Sequence, residues 1–398
     1  MISWLFKNKG FGPIGLDIGN DSVKMIQLLE QEDQISVHAA NKVRIDLGDD
    51  SDPDKRQQLV VSAIERLFDS GNYHGRDVIT SVPSDKLKIT SMRISESDSS
   101  DIEEIVRNEA AERFGLDSSK DSINHILVGN VKHDDAIKNE LILFAADNKT
   151  ITDHISMLEQ AQLNPIAIDT VPAALFRNFR RLLRRHGDKE QTFIFIDIGS
   201  LFAMVVFGWG EDINFVKKIP IGVAQIDRML ADKLDVDFQQ AQILRKNIGQ
   251  FPKDSSRRDV AGEDSGSLKE CSPEQVILDR SIRQTIVDTV GEVARELTSE
   301  ILLCLKYYTV TFRGKRIQKA FLSGGGAYEK ILLNILRRQL AVDVQLAEPM
   351  RGFNLTASEG IDFESDRRGP LCEWAVAVGL ALKGWQPAEG KGKAYERN

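Results

Sequence analysis

Asp17 and Asp197 each close an apolar run, and each is followed by Ile-Gly. The segments around them align, "IGLDIGNDSVKMI" at 14–26 with "IFIDIGSLFAMVV" at 194–206. A strand that ends on Asp-Ile-Gly and turns straight back gathers main-chain N–H groups at a tight turn, and such a concavity attracts anions. Lys24 stands where it would neutralise phosphate charge. Two aspartates at strand ends can hold a magnesium ion through its waters, because magnesium dehydrates reluctantly. One such hairpin is an ordinary turn signal. Two, offset by 180 residues, indicate two similar halves facing each other. A third element, "AFLSGGGA" at 320–327, runs a strand into Gly324, Gly325 and Gly326 with a helix after it. Glycines there allow backbone to approach a ligand, and a helix start favours negative charge. A nucleotide between the halves, its phosphates gripped by both hairpins, satisfies all three elements.

The elements that must position these residues are legible as periodicities. Residues 14–18, 23–29 and 34–45 read as strands. Residues 53–71 have helical apolar spacing with Gly71 as C-cap. Two strands flank Pro83 within 76–94, a helix covers 97–115, a hairpin 124–148 and a helix 149–163. A short strand at 164–171 precedes a helix over 172–187, which opens on Pro172 and ends in basic residues, as the helix dipole favours. The strand pair of 192–207 is followed by two helices, "GVAQIDRMLADKL" and "DFQQAQILRKNIG", a flexible polar loop over 250–275 and a long helix over 276–312. Strand, triple glycine and helix occupy 317–340, and a Gly/Ala-rich buried helix 369–385.

Composition narrows the function classes. The 398 residues are 41% hydrophobic and 28% charged, enough to bury more than one core. A net charge of −8 argues against nucleic acid as a partner. Three scattered cysteines, Cys271, Cys304 and Cys372, without CxxC spacing, speak against a disulfide scaffold or zinc site and fit a reducing cytoplasm. The most apolar stretch, 192–210, nearly has spanning length, but Asp197, Gly199 and Ser200 interrupt it. Two buried strands explain it better than a transmembrane segment. The opening "MISWLFKNKG" is too short for a secretory signal and reads as a frayed terminus, with contact at a membrane surface as the alternative. The basic run "RNFRRLLRR" at 177–185 reads as a solvated helix face, or as a surface for anionic lipid or an acidic partner.

The order of hairpin, insertion, second hairpin and SGGG loop resembles that of the actin-like ATPases, among them actin, sugar kinases and heat-shock chaperones. The Asp17-to-Lys24 spacing matches actin's first phosphate loop. Within that group the chain is similar to the PilM family of type IV pilus assembly and to the related cell-division protein FtsA. The grounds are "IGLDIGNDSVKMIQL", the insertion of about 110 residues after the first hairpin unit, "IPIGVAQIDRMLADKLDVDFQQAQILRKNIG" after the second, and the closing "WAVAVGLAL".

The resemblance implies an α/β, actin-like (ribonuclease H-like) two-domain fold with an FtsA/PilM-type inserted subdomain. Subdomain 1A would comprise 1–40, 151–190 and 370–398, and the inserted subdomain 1C would be 41–150. Subdomain 2A would take 191–222 with 317–369, and 2B 223–316. It implies ATP and Mg2+ as cofactors. Asp17, Gly19, Asn20, Asp21, Ser22 and Lys24 would form the first phosphate loop, and Asp197, Gly199 and Ser200 the second. Gly222 would approach the phosphates and Gly324, Gly325 and Gly326 would line the adenosine. Gln242 and Arg245 stand where the family has Glu and Lys near ribose and base. Asp169 would position water for hydrolysis, and Asp17 and Asp197 would hold the metal through water. The implied partner is the N-terminal cytoplasmic peptide of a PilN-like inner-membrane protein, docked in a groove formed with the insertion. The implied location is cytoplasmic, peripheral at the inner face of the inner membrane, with self-association an open expectation.

Three departures bear on activity. Asp21 puts a carboxylate where relatives have Ser or Thr; without a neighbouring cation it would repel phosphate. Leu201 and Phe202 replace a common hydroxyl. At most a slow ATPase is expected. Two alternatives stay open: an adaptor that binds no nucleotide, and a small-molecule kinase on the same fold, for which the sequence shows no further substrate motif.

Overall fold

The computed structural model describes residues 10–31, 34–45, 52–95, 102–133, 136–182, 191–248, 273–312, 317–355, 361 and 369–384. The N-terminal apolar patch at 1–9, the Ser/Asp-rich entrance at 97–101, Cys271 and most of the 250–275 loop lie outside them.

In chain order, the first half opens with β1 (Gly10–Ile18), β2 (Ser22–Gln31), β3 (Gln34–Arg44), α1 (Pro53–Ser70) and β4 (Asp77–Ser81). Then come β5 (Lys88–Ser95), α2 (Ile102–Phe114), β6 (Ser122–His133) and β7 (Ala136–Ala146). The half closes with α3 (Asn148–Gln160), β8 (Asn164–Asp169) and α4 (Val171–Arg180). The second half runs β9 (Thr192–Ile198), β10 (Ala203–Trp209), β11 (Asp212–Ile219), α5 (Val223–Leu234), α6 (Phe238–Lys246) and α7 (Pro273–Thr311). It ends with β12 (Ile317–Ser323), α8 (Lys330–Gln339), β13 (Asp343–Leu346) and α9 (Ala375–Ala381).

The duplication read from the two Asp-Ile-Gly segments is a duplication of architecture. One five-stranded sheet has the order β3-β2-β1-β4-β8 and the other β11-β10-β9-β12-β13. In each, the first strand pairs antiparallel with its hairpin partner and parallel with a later strand. Both faces of these central strands are covered, so they read as continuous apolar runs rather than alternating ones. Ile194, Phe195 and Ile196 in succession are fully buried.

The sheets are joined through α4 and α9, which pack on one another. Asn178 Nδ2 donates to the Ala375 carbonyl at 3.1 Å and Arg177 Nη1 to that of Gly379 at 2.7 Å. One apolar cluster runs through both halves, including Ile79 of β4, Leu175 of α4, Phe195 of β9 and Val376 of α9. The rings of Phe179 and Phe195 stack at 4.9 Å.

The insertion is smaller than expected. β5, β7 and β6 form a separate three-stranded sheet in that order, closed by α2 over Met92, Leu141 and Leu143. The boundary at 41 is therefore corrected. β1 needs β4 as its parallel neighbour, with Ile14 opposite Val78 and Leu16 opposite Thr80. α1 covers that sheet through Val60, Ile64 and Leu67. The insertion begins only after β4. It also reaches the second half: Arg93 Nε donates to Glu140 at 2.6 Å, Tyr307 of α7 donates its hydroxyl to the same carboxylate at 2.8 Å, and Arg93 Nη2 reaches the Tyr307 oxygen at 3.1 Å. Lys218 of β11 donates to the Ser84 and Leu87 carbonyls at 2.7 and 2.8 Å.

Candidate functional site

The two hairpin turns have one geometry. Gly19 N donates to Ser22 O at 2.9 Å, and Gly199 N donates to Phe202 O at 2.9 Å. They face a cleft of about 550 Å3 between the halves. Asp17, Gly19, Asn20, Asp21, Ser22 and Lys24 line it from one side, and Asp197, Gly199 and Ser200 from the other, with Gly324 and Gly325 closing one end. Eleven of the expected site residues thus converge.

Their side-chain chemistry is not symmetric. Lys24 is the register partner of Asp17 across the first hairpin, and Nζ sits 3.0 Å from Asp17 Oδ2. Burial works against the Lys24 ammonium, but Asp17, Asp21 and Glu373 outweigh it and hold its pKa above the ordinary value. The register partner of Asp197 is Met204, so no ammonium stands in the equivalent place. Asp197 instead accepts from the Ser323 hydroxyl at 2.9 Å and makes no ion pair among the described residues. Desolvation, with Asp17 nearby, pushes its pKa up to about 6. A carboxylate in no ion-pair contact, beside a second carboxylate and only partly offset by the Lys24 charge, fits a hydrated divalent cation.

Asp21 is exposed, and its charge acts on Lys24, on Arg56 of α1 and on Lys246 of α6. Cations therefore neighbour it, and the repulsion expected for an isolated carboxylate is offset. Leu201 and Phe202 do line the cleft. The Phe202 ring lies 5.0 Å from the Lys218 ammonium, an aromatic support for a cation rather than a hydroxyl donor.

The triple glycine splits by role. Gly324 has a φ of +80°, and a Cβ there would lie 2.5 Å from the Ile198 carbonyl oxygen, so only glycine fits at the end of β12. Gly325 faces open space along the cleft. Gly326 packs behind it on the Ile198 side chain. The chain then makes a short 3-10 turn over Gly325–Tyr328 before α8 begins at Lys330, so the α-helix does not start on the glycines.

Four other expected residues stand apart from the cleft lining. Gly222 caps α5 behind the second hairpin, and a Cβ there would come within 2.2 Å of the Ser200 oxygen. Gln242 is half-buried on α6. Arg245 is buried: its guanidinium binds Asp227 at 2.5 and 2.9 Å and also Glu329. Its fork is spent on a structural triad rather than presented to ribose or base. Asp169 is likewise held, by Arg177 at 2.7 Å and Lys383 at 3.4 Å, and Thr170 rather than Asp169 caps α4. Asp169 is thus pinned by two cations and lies outside the cleft lining, not in it.

Among the cleft residues that the sequence reading does not single out are Arg56, Glu373 and His154. Arg56 sits in a polar first helical turn with no distinguishing pattern. Glu373 meets Lys42 at 3.8 Å and accepts from the Tyr328 hydroxyl; an acid opening the apolar run "CEWAVAVG" was the available signal. His154 of α3 is buried 3.4 Å from the Thr80 hydroxyl, and burial lowers its pKa to about 4, which keeps it neutral.

Two sheets of one topology, with matched hairpins gripping a cleft, define an actin-like ATPase fold. Among solved structures, the "PilM-PilN type IV pilus biogenesis complex" superposes with a TM-score of 0.69 at 18% identity, covering 94% of this chain and 99% of that one. The ethanolamine utilization protein EutJ from Carboxydothermus hydrogenoformans follows with a TM-score of 0.49 at 13% identity over 94% of this chain and 89% of that one. MreB5 of Spiroplasma citri, solved bound to ADP, gives 0.44 at 13% identity, covering 93% and 94%. No curated protein matches the sequence significantly. The model of the type IV pilus assembly protein PilM family matches residues 15–260, and the chain belongs to that family.

Proposed function

We propose that this PilM-family chain is a nucleotide-binding scaffold of pilus assembly. ATP would occupy the cleft between the halves, and the cytoplasmic N-terminal tail of a PilN-like inner-membrane protein would dock in a groove that the inserted subdomain helps to form. The observation that carries the reading is the pair of matched hairpins across one cleft, with the Lys24 ammonium on one side and the unpaired Asp197 carboxylate on the other. Lys24 and the turn N–H groups would take the phosphates, and Gly324 and Gly325 would leave room for the nucleoside. No group of three or more His, Cys, Asp or Glu side chains gathers for direct metal ligation among the described residues. Asp17 and Asp197 would therefore hold Mg2+ through its waters. With Asp169 committed to Arg177 and Lys383, hydrolysis would be slow at most.

No helix among the described residues is long and apolar enough to cross a membrane. Recruitment to the inner face of the inner membrane would come through the partner tail. An extended tail docking in a preformed groove is an established recognition mode. The ion-pair network from Arg93 and Glu140 to Tyr307 ties the insertion to the second half, so closing the cleft on a nucleotide would alter the peptide groove. The test is fluorescence anisotropy of a labelled synthetic tail peptide, with and without Mg2+–ATP. Peptide affinity that changes with nucleotide supports the scaffold. Peptide binding indifferent to nucleotide, with no nucleotide bound, favours the adaptor reading that Leu201 and Phe202 motivate.

A further inference from the structure

The two phosphate-loop hairpins share one geometry but are held from behind by different groups. In the second hairpin, the Gly199 and Ser200 carbonyls accept from Val223 N at 3.1 Å and Ala224 N at 2.9 Å, the first two amides of α5. No side chain caps that helix, and Gly222 brings its start against the loop. The free N–H groups of a helix start are spent on the hairpin.

The topologically equivalent helix of the first half is α1, since each follows the third strand of its hairpin sheet. Its N-terminus is not available for this task. Pro53 at the first position has no N–H, and the Asp52 carboxylate caps the helix by accepting from Asp54 N at 3.0 Å. The corresponding carbonyls, Gly19 O and Asn20 O, instead accept from the Arg56 guanidinium. Nη2 donates to Gly19 O at 2.9 Å and Nη1 to Asn20 O at 2.9 Å.

We propose that Arg56 is the positioning residue of the first phosphate loop, replacing with a side-chain fork the helix start that holds the second. In a trans peptide the C=O and N–H point to opposite sides of the plane. Pinning Gly19 O and Asn20 O therefore orients the N–H groups of Asn20 and Asp21, as α5 orients those of Ser200 and Leu201. The substitution also places a permanent cation beside Asp21, which acts on it electrostatically together with Asp85. A planar fork holds two adjacent carbonyls in a fixed geometry, whereas a lysine ammonium on its flexible stem offers rotatable donors without that fixed geometry.

This rests on the nucleotide reading for its purpose, while the exchange arm of its test does not. Hydrogen–deuterium exchange at amides 19–22 is measured in the free full-length protein, as wild type, Arg56→Gln and Arg56→Lys, beside Mg2+–ATP calorimetry. Arg56→Gln should speed exchange at 19–22 and leave 199–202 unchanged. It should weaken Mg2+–ATP by about tenfold or more, as loss of two charge-assisted bonds implies, and Arg56→Lys should restore only part of either. A merely structural role in packing α1 would speed exchange along that helix instead and be rescued fully by Lys. Unchanged exchange at 19–22 in Arg56→Gln overturns the proposal, as does wild-type nucleotide affinity in that variant. If the wild type binds no nucleotide while the exchange pattern holds, the nucleotide reading fails and the assignment of Arg56 stands.

Discussion

Lys24 Nζ and Asp17 Oδ2 lie 3.0 Å apart across neighbouring strands, with both side chains buried at the floor of the cleft. Removing one partner of a buried pair strands the other, which costs about 3–5 kcal/mol. Lys24→Met should therefore lower the denaturant midpoint substantially, while Lys24→Met with Asp17→Asn recovers most of that loss and none of the nucleotide binding. The Lys24 pKa is raised, so the pair's contribution is full below the ordinary lysine value and fades as pH rises through the folded one. Chemical denaturation at pH 7 and pH 11 checks both: the penalty of Lys24→Met should shrink at the higher pH.

Asp197 carries the opposite liability. Its folded pKa of about 6 exceeds the ordinary 3.8, so the folded state keeps a proton that the unfolded chain has lost. Its contribution to stability falls as pH rises through that window. Asp197→Asn should melt higher than the wild type at pH 7.5 and equally at pH 3.5, yet lose Mg2+-dependent nucleotide binding. Thermal melts at the two pH values decide the first part. For the second, Mg2+–ATP affinity of the wild type should drop as pH falls through about 6, and Asp197→Asn should show no Mg2+–ATP binding on either side of that pH.

Arg245 is predicted to act on stability first. Burial works against its charge, but Asp227 and Glu329 outweigh it and raise its pKa. Arg245→Met leaves Asp227, fully buried, without its partner, at a cost of about 3 kcal/mol or more. Adding Asp227→Leu should return part of this in urea unfolding. An Arg245→Met protein as stable as the wild type would contradict the structural role of the triad.

The Tyr307 hydroxyl links α7 to Glu140 in the insertion. Glu140 is nearly fully buried, so Tyr307→Phe should cost about 1–3 kcal/mol for the lost bond to a charged acceptor. The cost should appear as earlier proteolytic cleavage within 82–147, measured by limited digestion, before cleavage elsewhere.

What the sequence showed and hid follows from locality. The two Asp-Ile-Gly hairpins and the SGGG loop were legible because each is a contiguous strand-turn pattern, and their convergence follows from the duplicated sheet order. β11 and β13 are not legible as strands because "DINFVKKI" carries three charges among its eight residues and "DVQL" is only four residues long. Their place is set by pairing with β10 and β12. The insertion boundary was misplaced because nothing local marks β4 as the partner of β1. Arg245 and Asp169 are expected in the cleft from motif position, but each is held by one partner near in sequence, Asp227 and Arg177, and by a second that is distant, Glu329 and Lys383. Arg56 was missed for the same reason: its acceptors are 36 and 37 residues away.

The central claim is that the two hairpins bind nucleotide phosphates with a metal ion. Calorimetric titration of Mg2+–ATP into the wild type, Lys24→Met with Asp17→Asn, and Asp197→Asn tests it most directly. The account predicts binding at about 1–100 μM for the wild type, a range typical of −5 to −8 kcal/mol, and its loss in both variants while each remains folded. Undiminished binding in the two variants, or no heat with the wild type at millimolar ATP, would contradict it.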